Sequence, residues 1–223
     1  MGEMVNFNTP GDMSVSGYLA RAGDDTAPGG IVLQEWWGLN DQIKATADRF
    51  AAAGFTALAP DLFAGRVTED ADEAGHMMNG LDWVGATNQD ICGAANYLKQ
   101  SMDQVGVVGF CMGGALTVIA SAKLAQIDTA VCFYGIPPRD HADPAGISLP
   151  FQAHFANQDD WCTPTAVDEF EQSLQSGGVS HELYRYDAQH GFFNNQRPEV
   201  YDDAAATLSW RRTVDFFNAN LGA

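Results

Sequence analysis

The residues of this chain best suited to chemistry are one cysteine, one histidine and a few carboxylates, each just past an apolar run. Cys111 stands in Gly109-Phe110-Cys111-Met112-Gly113, after the stretch Val105 to Val108 and before a helical pattern through Leu116, Ile119 and Leu124. That order predicts a strand, a sharp turn and a helix. The outer glycines permit a tight turn, so the sulfur is left exposed at a helix N-terminus, where free N–H groups favour a thiolate and can stabilise an oxyanion. A free thiol is little ionised at neutral pH, so Cys111 needs a base before it can attack an ester carbonyl. His190 can take the proton and return it to a leaving alkoxide, provided a carboxylate fixes its tautomer. Asp159 and Asp160 are the candidates for that carboxylate. The oxyanion would be met by the N–H of Met112, next to the nucleophile, and by the N–H of Trp36 in an earlier loop.

These groups can meet only if the elements carrying them line up. The chain opens on two short alternating stretches, Met4 to Asn8 and Ser14 to Ala20, which predict an edge hairpin. Strands are expected at Gly30 to Glu35, Phe55 to Ala59, Val105 to Phe110, Thr129 to Tyr134, Pro150 to Ala156 and His181 to Tyr186. Helices are expected at Asp41 to Ala53, Asp90 to Met102, after Cys111, at Thr165 to Gln175, and from about Tyr201 to Asn220, with one or two acidic turns between Val67 and Asp82. Strands alternating with helices imply a doubly wound, mostly parallel sheet in one domain spanning residues 1–223. In such a sheet the chemistry gathers at the carboxyl ends of the strands, where Glu35, Cys111, Asp159 and His190 all fall. The chain order nucleophile, acid, histidine is that of α/β-hydrolase triads.

Composition restricts the setting. Twenty-nine acidic residues against 11 basic ones give a formal charge of -18, which repels phosphate backbones and anionic lipid and argues against nucleic acid or membrane partners. The four cysteines, 92, 111, 132 and 162, form no C-x-x-C pair. Cys92, Cys132 and Cys162 read as packing residues, and His76, His141, His154 and His181 lack ligand spacing, so neither metal nor cofactor is expected. With no secretory pattern at Met1 to Phe7 and no long apolar run, a cytoplasmic monomer or small homo-oligomer is expected.

Leu33-Gln34-Glu35-Trp36-Trp37-Gly38-Leu39-Asn40, the Cys111 pentapeptide with Gly114, Ala156-Asn157-Gln158-Asp159-Asp160-Trp161 and His190-Gly191-Phe192 together resemble the dienelactone hydrolase (carboxymethylenebutenolidase) family over nearly the whole chain. The resemblance implies an α/β-hydrolase fold without a lid domain and cleavage of lactones or carboxylic esters through a Cys-His-Asp triad: Cys111, His190 and Asp159. It also implies that Glu35 pairs with the resting thiol of Cys111 and yields it when substrate binds. Ala156 stands where relatives have glycine, and counting forward from it selects Asp159; counting back from Pro164 selects Asp160. Family arginines hold a substrate carboxylate, one of them four residues after the histidine. Here that position is Asn194, no arginine lies between Val67 and Gly80, and Arg197 is the candidate left. Neutral lactones or esters in an aromatic pocket of Trp36, Trp37, Trp83, Trp161, Phe192 and Phe193 are therefore expected. The rival readings are an amidotransferase-like or DJ-1-like elbow cysteine, whose glutaminase form expects His-x-Glu where this chain has His190-Gly191-Phe192, and a binding protein on the same scaffold.

Overall fold

The computed structural model describes residues 1–222. Strands β1 (Glu3–Asn8) and β2 (Ser14–Ala20) form the expected antiparallel hairpin, and β2 pairs antiparallel with β4 (Thr56–Pro60). The remaining strands are β3 (Gly29–Leu33), β5 (Val105–Phe110), β6 (Thr129–Phe133), β7 (Phe151–Gln158) and β8 (His181–Gln189). All eight share one sheet in the order β1-β2-β4-β3-β5-β6-β7-β8, parallel from β4 onward. The fold is a mostly parallel α/β sheet of the α/β-hydrolase type.

The central strands GGIVL, VGVVGF and TAVCF are buried along their whole length. They read as unbroken apolar runs because a parallel strand has helices over both faces and no face for water. Alternation then sorts side chains between two cores: Ile31, Leu33 and Val107 pack in one, Val32, Val108 and Phe110 in the other. The first core takes Leu116 and Ile119 of α5 (Met112–Lys123), and the second takes Phe50 of α1 (Asp41–Ala52) and Phe217 of α7 (Asp203–Leu221). Helix starts follow the sequence signals. Asn40, Asp70, Thr163 and Asp202 each accept a backbone N–H at the heads of α1, α2 (Ala71–Asn79), α6 (Pro164–Ser176) and α7.

Several boundaries differ from the sequence expectation: β7 and β8 run on to Gln158 and Gln189, β6 stops at Phe133, and two further shifts bear on the site. β3 ends at Leu33, so Glu35 sits two residues beyond the strand, in the loop. The helix expected from Asp90 begins at Trp83, as α3 (Trp83–Gly85), and passes through a π-helical segment, Ala86–Ile91, into α4 (Cys92–Lys99). Asp82 caps its first turn and the Thr87 hydroxyl bonds back to the Trp83 carbonyl at 2.9 Å. Among the described residues, no helix is long and apolar enough to cross a membrane.

The topology brings the candidate residues together. β3 lies between β4 and β5, so the chain reverses its direction of winding between β3 and β5, and a crevice opens at such a point. Leu33 is in register with Gly109, and Phe110 with Phe133. The loops carrying Glu35 and Trp36, then Cys111, then Tyr134 therefore leave the sheet side by side.

Candidate active site

Cys111 occupies the turn between β5 and α5 with φ 53° and ψ −114°, a left-handed conformation that is strained for a residue with a side chain. Its neighbours make room: a Cβ at Gly109 would collide with the carbonyl of Gly113, and one at Gly114 with the carbonyl of Phe133. Glycine at these positions lets the turn close on itself. The Cys111 N–H donates to the Phe133 carbonyl at 3.0 Å, fixing the turn to β6.

Asp159 immediately follows β7, and His190 immediately follows β8. His190 Nε2 lies 3.1 Å from Cys111 Sγ, and Nδ1 lies 2.7 Å from Asp159 Oδ2. The other carboxylate oxygen, Oδ1, accepts the N–H groups of Trp161 and Cys162 at 2.7 and 2.8 Å. Asp159 is buried and Asp160 is exposed, so the acid facing His190 is the one chosen by counting forward from Ala156. Burial opposes the Asp159 charge, but His190 and the two N–H groups outweigh it and hold this carboxyl below its ordinary range. For His190, burial likewise works against the imidazolium. The negative sulfur of Cys111 and the Asp159 carboxylate overcome it and raise His190 to about 10.

Glu35 departs from what the resemblance implied. Its carboxylate does not pair with the Cys111 thiol: Oε1 accepts the hydroxyl of Tyr134 at 3.1 Å and Oε2 the side-chain amide of Asn194 at 2.6 Å. The reason is supply of donors. Asn194 stands where an arginine was expected and spends its amide on Glu35, while His190 occupies the sulfur. Burial pushes the Glu35 carboxyl up, against the pull of Asn194, His190 and Tyr134. Tyr134, fully buried and pushed well above its ordinary range by that burial and by Glu35, stays a hydroxyl donor. It was missed from sequence, although its position one residue past β6, beside the elbow, was a usable signal.

The pocket expectations divide. Trp36 and Trp37 border a cavity of about 230 Å³ together with Glu35, Cys111, His190 and Arg197. The Arg197 guanidinium lies 4.6 Å from the Trp37 ring centre and pairs with Glu199. Trp83 borders a second cavity of about 370 Å³ that also reaches Cys111 and His190. Phe192 and Phe193 line neither cavity at Cys111. Gly191, at φ 80°, turns the chain inward, and the two rings pack in the core, Phe192 at 5.3 Å from Tyr134 and Phe193 at 4.9 Å from Phe110. The N–H groups of Trp36 and Met112 donate to no other group among the described residues.

The four cysteines are free. Burial raises the Cys132 thiol to about 12 and pushes Cys162 still higher, leaving both as inert thiols. Cys162 also brings its sulfur within 4.8 Å of one donor atom each of Asp159 and His190. A metal there would have to take one ring nitrogen of His190 from Asp159 or Cys111.

Residues 15–221 match the dienelactone hydrolase family. The chain belongs to that family. Its members are hydrolases of lactone and ester bonds, which gives the protein its reaction class and a small molecule as substrate. Over 99% of its length it is 35% identical to Protein usf of Aquifex pyrophilus, all of which is covered. It is 28% identical to Carboxymethylenebutenolidase 1 of Cupriavidus pinatubonensis across 89% of this chain and 88% of that one. Among solved structures, a dienelactone hydrolase-like promiscuous phosphotriesterase from metagenomic libraries has the same fold, with a TM-score of 0.86 at 21% identity over 98% of each chain. An esterase of Pyrococcus furiosus has a TM-score of 0.70 at 16% identity, over 99% of this chain and 93% of that one.

Proposed function

We propose that this one-domain hydrolase cleaves neutral carboxylic esters or lactones through a Cys111 acyl-enzyme. The observation that carries the reading is the unbroken chain Asp159–His190–Cys111, with links of 2.7 and 3.1 Å. His190 takes the thiol proton as Cys111 sulfur adds to the ester carbonyl, and the oxygen charge that develops is met by the N–H groups of Trp36 and Met112. The tetrahedral adduct collapses with loss of the C–O bond, and the imidazolium of His190 gives its proton to the departing alkoxide. Water then adds to the thioester, losing a proton to His190, and the C–S bond breaks to release acid and, with that proton returned from His190, regenerate the thiol. Asp159 holds the imidazole in orientation and carries no proton in the cycle. Neither metal nor cofactor enters these steps.

Neutrality of the substrate follows from the cations. Asn194 offers no charge, and Arg197 is already matched by Glu199 and spread over Trp37. An added carboxylate would be desolvated without a free partner. The test is p-nitrophenyl acetate hydrolysis beside glutamine hydrolysis, with Cys111→Ala as control. Ester turnover that vanishes in Cys111→Ala is expected, with no glutaminase activity. Ester turnover that survives in Cys111→Ala would sink the acyl-enzyme reading. Arg197→Ala is expected to leave KM for neutral esters nearly unchanged; a steep rise in KM for dienelactone alone would show that Arg197 binds a carboxylate after all.

A further inference from the structure

Cys111 and His190 border two cavities at once. One, about 230 Å³, lies toward the loop after β8 and is edged by Gly191, Asn194, Arg197 and Val200. The other, about 370 Å³, lies over the first turn of α5 and is edged by Met112, Ala115, Trp83 and Ile136. Met78 and Trp161 border both as well. Trp161 is 66% exposed at its outer edge, and its ring sits edge-on to Trp36 at 5.6 Å.

The two sides differ in chemistry. Glu35 and Arg197 face the smaller cavity, whereas no Asp, Glu, Lys or Arg side chain borders the larger one. Apart from the reacting pair Cys111 and His190, no ionised side chain borders the larger cavity to pair with a charged substrate arm, which would lose its water there. An apolar group placed there gains about 0.8 kcal/mol for each methylene removed from water, which is roughly fourfold in kcal-derived affinity. A small lactone would fill one side and leave the other to solvent. Pockets of roughly 300–1,000 Å³ accept drug-sized ligands, and the two cavities together fall in that range.

The geometry points to an open-chain ester with two arms as the preferred substrate: a neutral apolar acyl chain over α5, between Met112, Ala115, Ile136 and Trp83, and an alcohol portion over Trp37 and the loop after β8. The assignment of arms follows from the chemistry and rests on the acyl-enzyme reading above. The acyl group stays bonded to Cys111 after the first step, so it belongs on the side of the helix that carries Cys111. The leaving oxygen must receive its proton from His190, so the alcohol belongs beside the residues that follow His190.

A chain-length series of p-nitrophenyl esters, acetate to octanoate, tests this on the unaltered protein, with cis-dienelactone run in parallel. We expect kcat/KM to rise about three- to fourfold per methylene up to about hexanoate, and hexanoate to exceed dienelactone at least tenfold. A flat or falling series with acetate still turned over would overturn the two-armed substrate while leaving the thiol esterase intact; no turnover of any ester would sink the esterase reading itself. Dienelactone exceeding hexanoate would also overturn the proposal. Ile136→Trp, at a partly exposed position, should lower the hexanoate-to-acetate ratio of kcat/KM at least tenfold, with circular dichroism and melting temperature reporting that the variant is folded. If Ile136→Trp instead discriminates among acetates of differently sized alcohols, the arms are reversed and the assignment is wrong.

Discussion

His154 lies buried in β7 and His190 lies just past the neighbouring β8, partly exposed, and the two rings differ in charge state. His154 sits in the middle of β7. Its Nε2 lies 2.9 Å from the Gln152 carbonyl oxygen, its Nδ1 lies 2.8 Å from the Tyr186 hydroxyl, and Thr213 approaches at 3.2 Å. Gln152 Oε1 can only accept, so Nε2 carries the proton and Nδ1 accepts from Tyr186. Burial, and then the positive Arg212, lowers His154 to about 3. His190, past the end of β8, faces a carboxylate and a sulfur instead, and rises to about 10. Every ring nitrogen is satisfied in both cases. What separates a packing histidine from a proton carrier is the charge of the partners and whether a cavity reaches the ring.

The strongest break in this comparison is truncation. His190→Ala is expected to lower kcat for p-nitrophenyl acetate about 10⁴-fold or more with little change in melting temperature. His154→Ala is expected to do the reverse, costing about 2–4 kcal/mol in urea unfolding because Gln152, Tyr186 and Thr213 lose a buried partner, while the folded enzyme turns over normally. Equal losses of activity in the two variants would erase the distinction.

Next come the adjacent acids. Asp159→Asn is expected to lower kcat about 10³- to 10⁴-fold by leaving His190 in the wrong tautomer, and Asp160→Asn, at the surface, to change it less than about threefold. A larger loss at Asp160 would mean that the loop rearranges when substrate binds.

The charge of His190 can be read directly. In the intact protein its ring proton resonances should stay at the imidazolium position until pH approaches about 10. Cys111→Ala removes the largest charge that favours the imidazolium, so the midpoint should fall. The sign extends to stability. A histidine raised in the folded state adds stability that is complete below about pH 6.5, the unfolded value, and is lost as pH rises through about 10. Cys111→Ala should flatten that alkaline loss, and an unchanged titration would show that the sulfur is not charged at rest.

The smallest expected effect concerns Glu35. Because Tyr134 and Asn194 occupy its carboxylate, Glu35→Gln should change the rate at which iodoacetamide alkylates Cys111 by less than about twofold. A tenfold acceleration would restore the resting-thiol pairing that the resemblance implied.

Much of this contrast was legible in the sequence. Cys111, Asp159 and His190 could be found because each directly follows a strand whose apolar run is unmistakable, and chain order gave each a role. His154 could be set aside as a metal ligand because it lacks ligand spacing to any other histidine. Glu35 was found but its partners were not: Tyr134 is 99 residues away and Asn194 is 159, and nothing local encodes those contacts. Phe192 and Phe193 misled because an aromatic beside a catalytic histidine looks like pocket lining, whereas the turn at Gly191 sends both rings into the core. The helix start at Trp83 was hidden by Gly85 and by the π-helical segment that follows, which breaks the 3.6-residue period that sequence reading relies on.

The backbone of Cys111 has an evolutionary consequence. Holding φ 53° and ψ −114° in a residue with a side chain costs about 1–3 kcal/mol, strain that glycine escapes. For a folded chain with no reaction to perform, glycine is the more comfortable occupant, so thermal selection on a population freed from its substrate should drive position 111 toward glycine. On the proposed acyl-enzyme reading, such heat-tolerant descendants would keep the sheet and both cavities but hydrolyse nothing. At this turn, robustness and turnover are inherited as alternatives.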